Sequence, residues 1–252
     1  MSIIWQIGIL IGIAALVWAA WPRMRIPRTS GLEGIDDPAA AEAYDRLSRL
    51  PQFGLLRALT LRKIGEQRPA GVLADIGCGP GRLTIRIAAK FPDLAVMGID
   101  ASDEMVRSAA ANASALGLAP RLDFRQGDVA RLPLPSEALD FAVTTFSLHH
   151  WSNPAQALAE IYRVLKPGGR LLVFDLRRDA RRIFSLLLRF AQAVVVPAPL
   201  RRANEPLGSL LASYTEDEVE GLFARSPFVS CRIVGGAGWM WVWGEKQGLA
   251  QD

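Results

Sequence analysis

The chain has 252 residues, half of them hydrophobic, with 29 Lys and Arg against 25 Asp and Glu for a formal net charge of +4. That length accommodates one sizeable α/β domain plus appendages. Two cysteines, Cys78 and Cys231, suggest neither a disulfide framework nor a metal cluster, and the arginine-heavy charge forms no basic stripe interleaved with aromatics, which speaks against nucleic acid as a partner.

From Ile3 to Trp21 the sequence is apolar apart from Gln6 and two glycines, with Trp5, Trp18 and Trp21 near the ends and Arg23, Arg25 and Arg28 following. As a helix the run would extend ~28 Å, close to the hydrocarbon thickness of a bilayer. It reads as a transmembrane anchor over residues 1–21, with the arginine side, and so the rest of the chain, on the cytoplasmic face. A signal peptide and a buried core helix are the competing readings. The first lacks a basic leader in Met1-Ser2, and the second would need core on every face of a terminal helix.

A polar linker, 22–36, leads to Asp37-Pro38, a helix-start signal. Helices are expected over 39–50 and 53–67, with Tyr44 either packed on the domain or facing a ligand. Gly71-Val-Leu-Ala-Asp75 then reads as a buried parallel strand, Asp75-Ile-Gly-Cys-Gly-Pro-Gly81 as a glycine loop and 82–90 as a helix. Glycines there let backbone approach a ligand closely and aim free N–H groups at it. A second strand, 94–99, ends in Asp100, placed to accept hydrogen bonds from ribose hydroxyls.

The remaining alternation predicts a doubly wound sheet: helix 103–116, strand 121–125, strand 139–144, helix 154–165 and strand 170–174. His149 and His150, the only histidines, follow the fourth strand. Either could take a proton from an acceptor, or serve only packing within the loop. Residues 181–196 form an amphipathic helix with Ile183, Leu186, Leu187, Phe190 and Val194 on one stripe, read as a lid on the sheet or as an interfacial membrane helix. Thr215 and Glu218 make a capping box for a helix over 215–224, and strands 229–234 and 238–243 close the sheet. Trp239, Trp241 and Trp243 alternate, so they share one face.

The glycine loop departs from the dinucleotide pattern, because Arg82 stands where the third glycine belongs. Asp75 would also repel a pyrophosphate. S-adenosylmethionine has no phosphate and carries an ammonium and a sulfonium, which a carboxylate favours. Val72-Leu-Ala-Asp-Ile-Gly-Cys-Gly-Pro-Gly81, Gly98-Ile-Asp-Ala-Ser102, Gln126-Gly-Asp-Val129, Leu139-Asp-Phe-Ala-Val143, Ser147-Leu-His-His-Trp151 and Leu165-Lys-Pro-Gly-Gly-Arg-Leu-Leu-Val173 stand in order across about residues 70–176. In this the chain resembles the class I S-adenosylmethionine-dependent methyltransferases, especially the quinone- and sterol-type small-molecule group.

The resemblance implies a mostly parallel, seven-stranded Rossmann-like sheet with an antiparallel last strand. The domain would span 37–252, with a cofactor core at 70–176 and a lid or substrate region at 177–214. It implies cofactor contacts at Asp75, Gly77, Gly79, Gly81, Asp100, Asp128, Val129 and Thr145, with Phe146 beside the last; Met105 either covers the adenine or packs in the core. His149 and His150 are the catalytic candidates and no metal is called for. The expected function is a membrane-anchored methyltransferase acting on a lipophilic small molecule. A non-catalytic S-adenosylmethionine-binding assembly factor and a nicotinamide-dependent oxidoreductase are the alternatives.

Overall fold

The computed structural model describes Arg23, residues 26–29 and residues 38–248. Its strands are β1 Val72–Ile76, β2 Ala95–Asp100, β3 Leu122–Gln126, β4 Leu139–Thr145, β5 Leu165–Leu176, β6 Arg232–Gly235 and β7 Trp239–Glu245, in one sheet of order β3-β2-β1-β4-β5-β7-β6. The first five run parallel, and β7 is antiparallel to both β5 and β6. The reversed β7 was expected; it follows β6 across a short turn, a connection that allows only antiparallel pairing.

The central strands are covered on both faces, which is why they read as continuous apolar runs. Helices α1 Pro38–Ser48, α2 Pro51–Glu66, α3 Arg82–Lys90 and α4 Asp103–Ala115 precede β3, and α5 Pro154–Val164 precedes β5. Leu61 and Ile64 of α2 and Leu83 and Ile87 of α3 pack on Leu73, Phe141, Val143 and Phe174. Leu158, Ile161 and Val164 of α5 cover the opposite face with Ala74, Ile76, Ala142 and Val242. Trp241 and Trp243 are buried in the first of these layers and Trp239 packs at its margin, so the tryptophan face lies under helices. β5 begins earlier than expected, at Leu165, and an irregular register between Leu139 and Phe141 absorbs the turn at Gly168, whose φ is +76°.

Beyond β5 the chain forms α6 Arg182–Val194, α7 Ala198–Arg202, α8 Leu207–Ala212 and α9 Glu216–Ala224. Two buried arginines fasten this cap. Arg177 pairs with Asp179 at 2.6 Å and with Glu216; Arg178 donates to the carbonyls of Ile26 (2.7 Å) and Ser213 (2.6 Å) and to Glu218 (2.5 Å). Arg28 adds a bond to the Ala212 carbonyl at 2.6 Å and stacks 4.1 Å over the Tyr214 ring. The capping box at Thr215 and Glu218 is formed in both directions.

The expected transmembrane helix requires correction. No helix among the described residues is long and apolar enough to cross a membrane. The apolar run 1–21 and most of the linker 22–36 fall outside the described residues. The fold is therefore described as the doubly wound sheet and its cap, and the single-pass placement with a cytoplasmic domain loses its basis. Replacing the helix cap in Thr215→Ala should lower stability by about 1 kcal/mol. Urea unfolding of both proteins measures this, and an unchanged midpoint would show that the arginine clamps alone hold α9.

Candidate active site

The strand order reverses at β1, where the chain leaves in one direction toward β3 and returns on the other side at β4. Loops at the carboxyl ends of β1 and β4 therefore diverge, and ligands bind in such crevices. Here the crevice is a cavity of about 620 Å³.

One end is built from the glycine loop. Gly77 and Gly79 line it, with φ of +72° and +52°. A Cβ at Gly77 would lie 2.3 Å from Ser147 Oγ, so only glycine fits that close approach of backbone to the β4 loop. The Gly79 N–H donates to Asp100 Oδ2 at 2.7 Å, while the Ser102 N–H donates to Asp100 Oδ1 at 3.0 Å. Asp100 thus fastens the loop after β1 to the end of β2 while lining the cavity. Asp128, Val129, Thr145 and Phe146 line it as well, and the Ala130 N–H holds Asp128 Oδ1 at 2.8 Å. Met105 reaches the wall although its side chain is mostly core.

Two of the expected cofactor residues stand off the wall. Asp75 is 1% exposed and lies behind the loop, where Thr84 Oγ1 donates to Oδ2 at 2.6 Å and Oδ1 has no partner. Burial pushes its carboxyl up to about 7, against the opposing Thr84 bond and with Asp100 adding to the rise. Gly81, with φ +72°, precedes α3, and a Cβ there would lie 2.8 Å from Ala109 Cβ; it serves close packing against α4.

The other end of the cavity is apolar. Phe184, Leu188 and Ala191 of α6 and Val196 and Leu200 beyond it face inward. The outer stripe of α6 stays open, with Leu186, Leu187, Phe190 and Val194 between 54% and 65% exposed. α6 is thus a lid on one face and an uncovered apolar surface on the other. Tyr44 of α1 reaches the cavity beside Gly79; burial, with Glu205 and Asp100 nearby, pushes its phenol up to about 12.

His149 and His150 both line the cavity, with ring centroids 4.1 Å apart. His149 is buried, and its Nδ1 lies 2.6 Å from Asp175 Oδ1. Sequence reading overlooked Asp175, although its position near the carboxyl end of β5 is the signal that could have found it. It also overlooked Glu205, which lines the cavity, accepts a bond from the Ser209 hydroxyl and is pushed upward by burial. No pattern in the coil around Glu205 marked it.

Among the described residues, Asp100, Asp128 and Glu205 line the cavity and no lysine or arginine does. The carboxylates of Asp100 and Asp128 on the wall disfavour a pyrophosphate and suit a ligand carrying positive charge. The glycine cradle, the carboxyl ends of β2 and β3 and this charge fit S-adenosylmethionine.

Residues 74–173 match the methyltransferase domain family. The chain is 33% identical over 196 residues to the ubiquinone/menaquinone biosynthesis C-methyltransferase of Syntrophotalea carbinolica, covering 75% of this chain and 78% of that one. It is 33% identical over 160 residues to the demethylmenaquinone methyltransferase of Thermus thermophilus, covering 62% and 71%. The crystal structure of an S-adenosylmethionine-dependent methyltransferase from Aquifex aeolicus superposes with a TM-score of 0.59 at 22% identity, over 83% of this chain and 98% of that one.

The raised carboxyl of Asp75 generates a test. Between the ordinary carboxylate range and about 7 the unfolded chain loses this proton while the folded chain keeps it, so stability falls as pH rises through that window. Asp75→Asn removes the effect. Its melting temperature relative to wild type should be higher at pH 8 than at pH 5; equal differences at both would show that Asp75 is already ionised in the fold.

Proposed function

The chain belongs to the class I S-adenosylmethionine-dependent methyltransferases, in the quinone-type group, and from that premise we propose that it methylates a small lipophilic acceptor held in the apolar chamber under α6. It is an enzyme, and its methyl donor is S-adenosylmethionine. The observation that carries the acceptor reading is the continuity of one cavity from the glycine loop to Phe184, Leu188 and Leu200. The exposed outer stripe of α6 supports it, because it gives an apolar molecule a continuous surface to approach along. The two quinone methyltransferase relatives favour an acceptor of quinol type.

When bound, the cofactor supplies an electrophilic methyl on a sulfonium. The residues divide the rest of the work. Asp100 takes the ribose hydroxyls while keeping the loop in place through Gly79. Asp128 takes the adenine amino group, and Val129 offers its backbone beside it. Gly77 and Gly79 admit the methionine part, with Thr145 and Phe146 at the sulfonium end. Asp75, bonded to the Thr84 hydroxyl behind the loop, keeps the loop oriented. Gly81 holds α3 close enough to α4 for this cradle to keep its shape. The side chains orient the acceptor and exclude water, and His149 or His150 removes its proton. Positioning of two bound reactants supplies much of the rate.

Calorimetry with S-adenosylhomocysteine and radiolabelled methyl transfer to a reduced naphthoquinol test this assignment. Asp100→Ala should weaken cofactor binding by about tenfold or more, since one charge-assisted bond to the cofactor is lost and the loop is freed. Wild-type binding without transfer to any quinol or phenol, but with transfer to water-soluble amines, would overturn the acceptor class.

Leu188→Asp places a charge in the acceptor chamber away from the glycine loop. It should raise KM for the acceptor at least tenfold and leave cofactor affinity within a factor of two. A matched loss of both would mean that the apolar end is not a separate acceptor chamber.

A further inference from the structure

Resting on the methyl-transfer reading, the acceptor end of the cavity can be read one step further. Apolar side chains of α6 stand there beside the histidine pair, together with Glu205 and Ser209. Asp175 Oδ1 lies 2.6 Å from His149 Nδ1, and the same carboxylate accepts the backbone N–H groups of His149 at 3.0 Å and Leu176 at 2.7 Å. A group that accepts two backbone N–H bonds is acting as an acceptor, so the proton on the third bond belongs to the imidazole.

That tautomer leaves a lone pair on Nε2. Nε2 is buried and has no hydrogen-bond partner, in a ring that lines the cavity. Buried polar atoms are ordinarily paired, so this one points to a ligand donor. The titratable and charged groups around the imidazole are Asp175 from β5, His150 on the same turn, Glu205 ahead of α8, Tyr44 from α1, Tyr214 after α8, and Arg28, whose guanidinium meets the His149 carbonyl at 3.4 Å. Glu205 is fixed by the Ser209 hydroxyl one helical turn on, and burial favours its protonated form.

We propose that Asp175 holds His149 as the Nδ1–H tautomer so that Nε2 takes the acceptor's proton, and that Glu205, pinned by Ser209, is the second polar contact of the same acceptor. His149 is then the catalytic residue, Asp175 a positioning residue and Glu205 a specificity residue. In the step, the acceptor's O–H bond breaks and its proton passes to Nε2. The released electron pair supports the new bond from acceptor oxygen or ring carbon to the methyl carbon, and the methyl–sulfur bond breaks with its pair remaining on sulfur. The same arrangement of carboxylate, imidazole and hydroxyl serves proton abstraction in other enzyme folds.

The chain's two histidines make the tautomer directly observable. In full-length protein labelled with ¹⁵N-histidine and loaded with S-adenosylhomocysteine, with His150→Gln used for assignment, His149 should show a protonated Nδ1 and a pyridine-type Nε2. Adding 1-naphthol should shift the Nε2 resonance, and 1-methoxynaphthalene, which has no hydroxyl, should not. Wild type should bind 1-naphthol about tenfold tighter than the ether, and Glu205→Leu, which removes the second polar contact, should weaken 1-naphthol binding about tenfold.

His149→Gln should lower kcat at neutral pH by a hundredfold or more, with the deficit narrowing at alkaline pH as the acceptor ionises unaided. Asp175→Asn should move the His149 proton to Nε2 and lower kcat more than it changes KM. A protonated Nε2 in wild type, a pH-independent deficit in His149→Gln, or an unchanged 1-naphthol affinity in Glu205→Leu would each overturn the proposal. Absence of S-adenosylhomocysteine binding to wild type would instead overturn the methyl-transfer reading beneath it.

Discussion

The reversal of strand order at β1 is the constraint on which the rest depends. Because β1 sits between β2 and β4, the loops at its carboxyl end and theirs must part, and no side chain of the sheet can fill the gap. Asp100 and Asp128 reach the gap from one flank, Thr145 and the two histidines from the other. Asp100 also closes the arrangement mechanically, since its carboxylate receives backbone N–H groups from both the glycine loop and its own following turn. A ligand-facing carboxylate that is also a structural clamp needs no reorganisation when ligand arrives.

The cap solves a different problem. Residues after β5 must roof the cavity with apolar surface yet stay attached to a sheet whose end is polar. Arg177 and Arg178 do this from inside, each satisfied by carboxylates and, for Arg178, by two carbonyls. Buried guanidinium groups with such complete partnering fix geometry more than they add stability. Through them the N-terminal segment at Ile26 and Arg28, the end of α8 and the start of α9 all converge on the end of β5. Glu205 and Ser209 are thereby held over His149, on the same side of the sheet as the glycine loop.

Charge is distributed with equal economy. The chain is net positive, but no lysine or arginine among the described residues lines the cavity, while three carboxyl groups do. Arginines instead fasten the cap or pair on the surface. The excess positive charge therefore says little about the ligand, and the local sign of the cavity wall says a great deal. The carboxyl groups on that wall separate a sulfonium donor from a dinucleotide more firmly than the glycine spacing does.

The sequence by itself determined the sheet, the glycine loop and most of the cavity wall around it, because parallel strands and their turns are written in contiguous residues: apolar runs, positive-φ glycines and acidic residues near the ends of β2 and β3. It also determined the capping box at Thr215 and the shared face of the three tryptophans. Only the tertiary structure decided that Asp75 lies behind the loop, that Gly81 packs against α4, and that Asp175 meets His149 across 26 residues. It alone brought Glu205 to the cavity wall. The expected membrane span shows the limit from the other side: hydropathy and length describe a segment's compatibility with a bilayer, and no helix among the described residues meets those conditions. Contacts between distant segments depend on how helices cross and where the cap is clamped, and local periodicity carries no record of either.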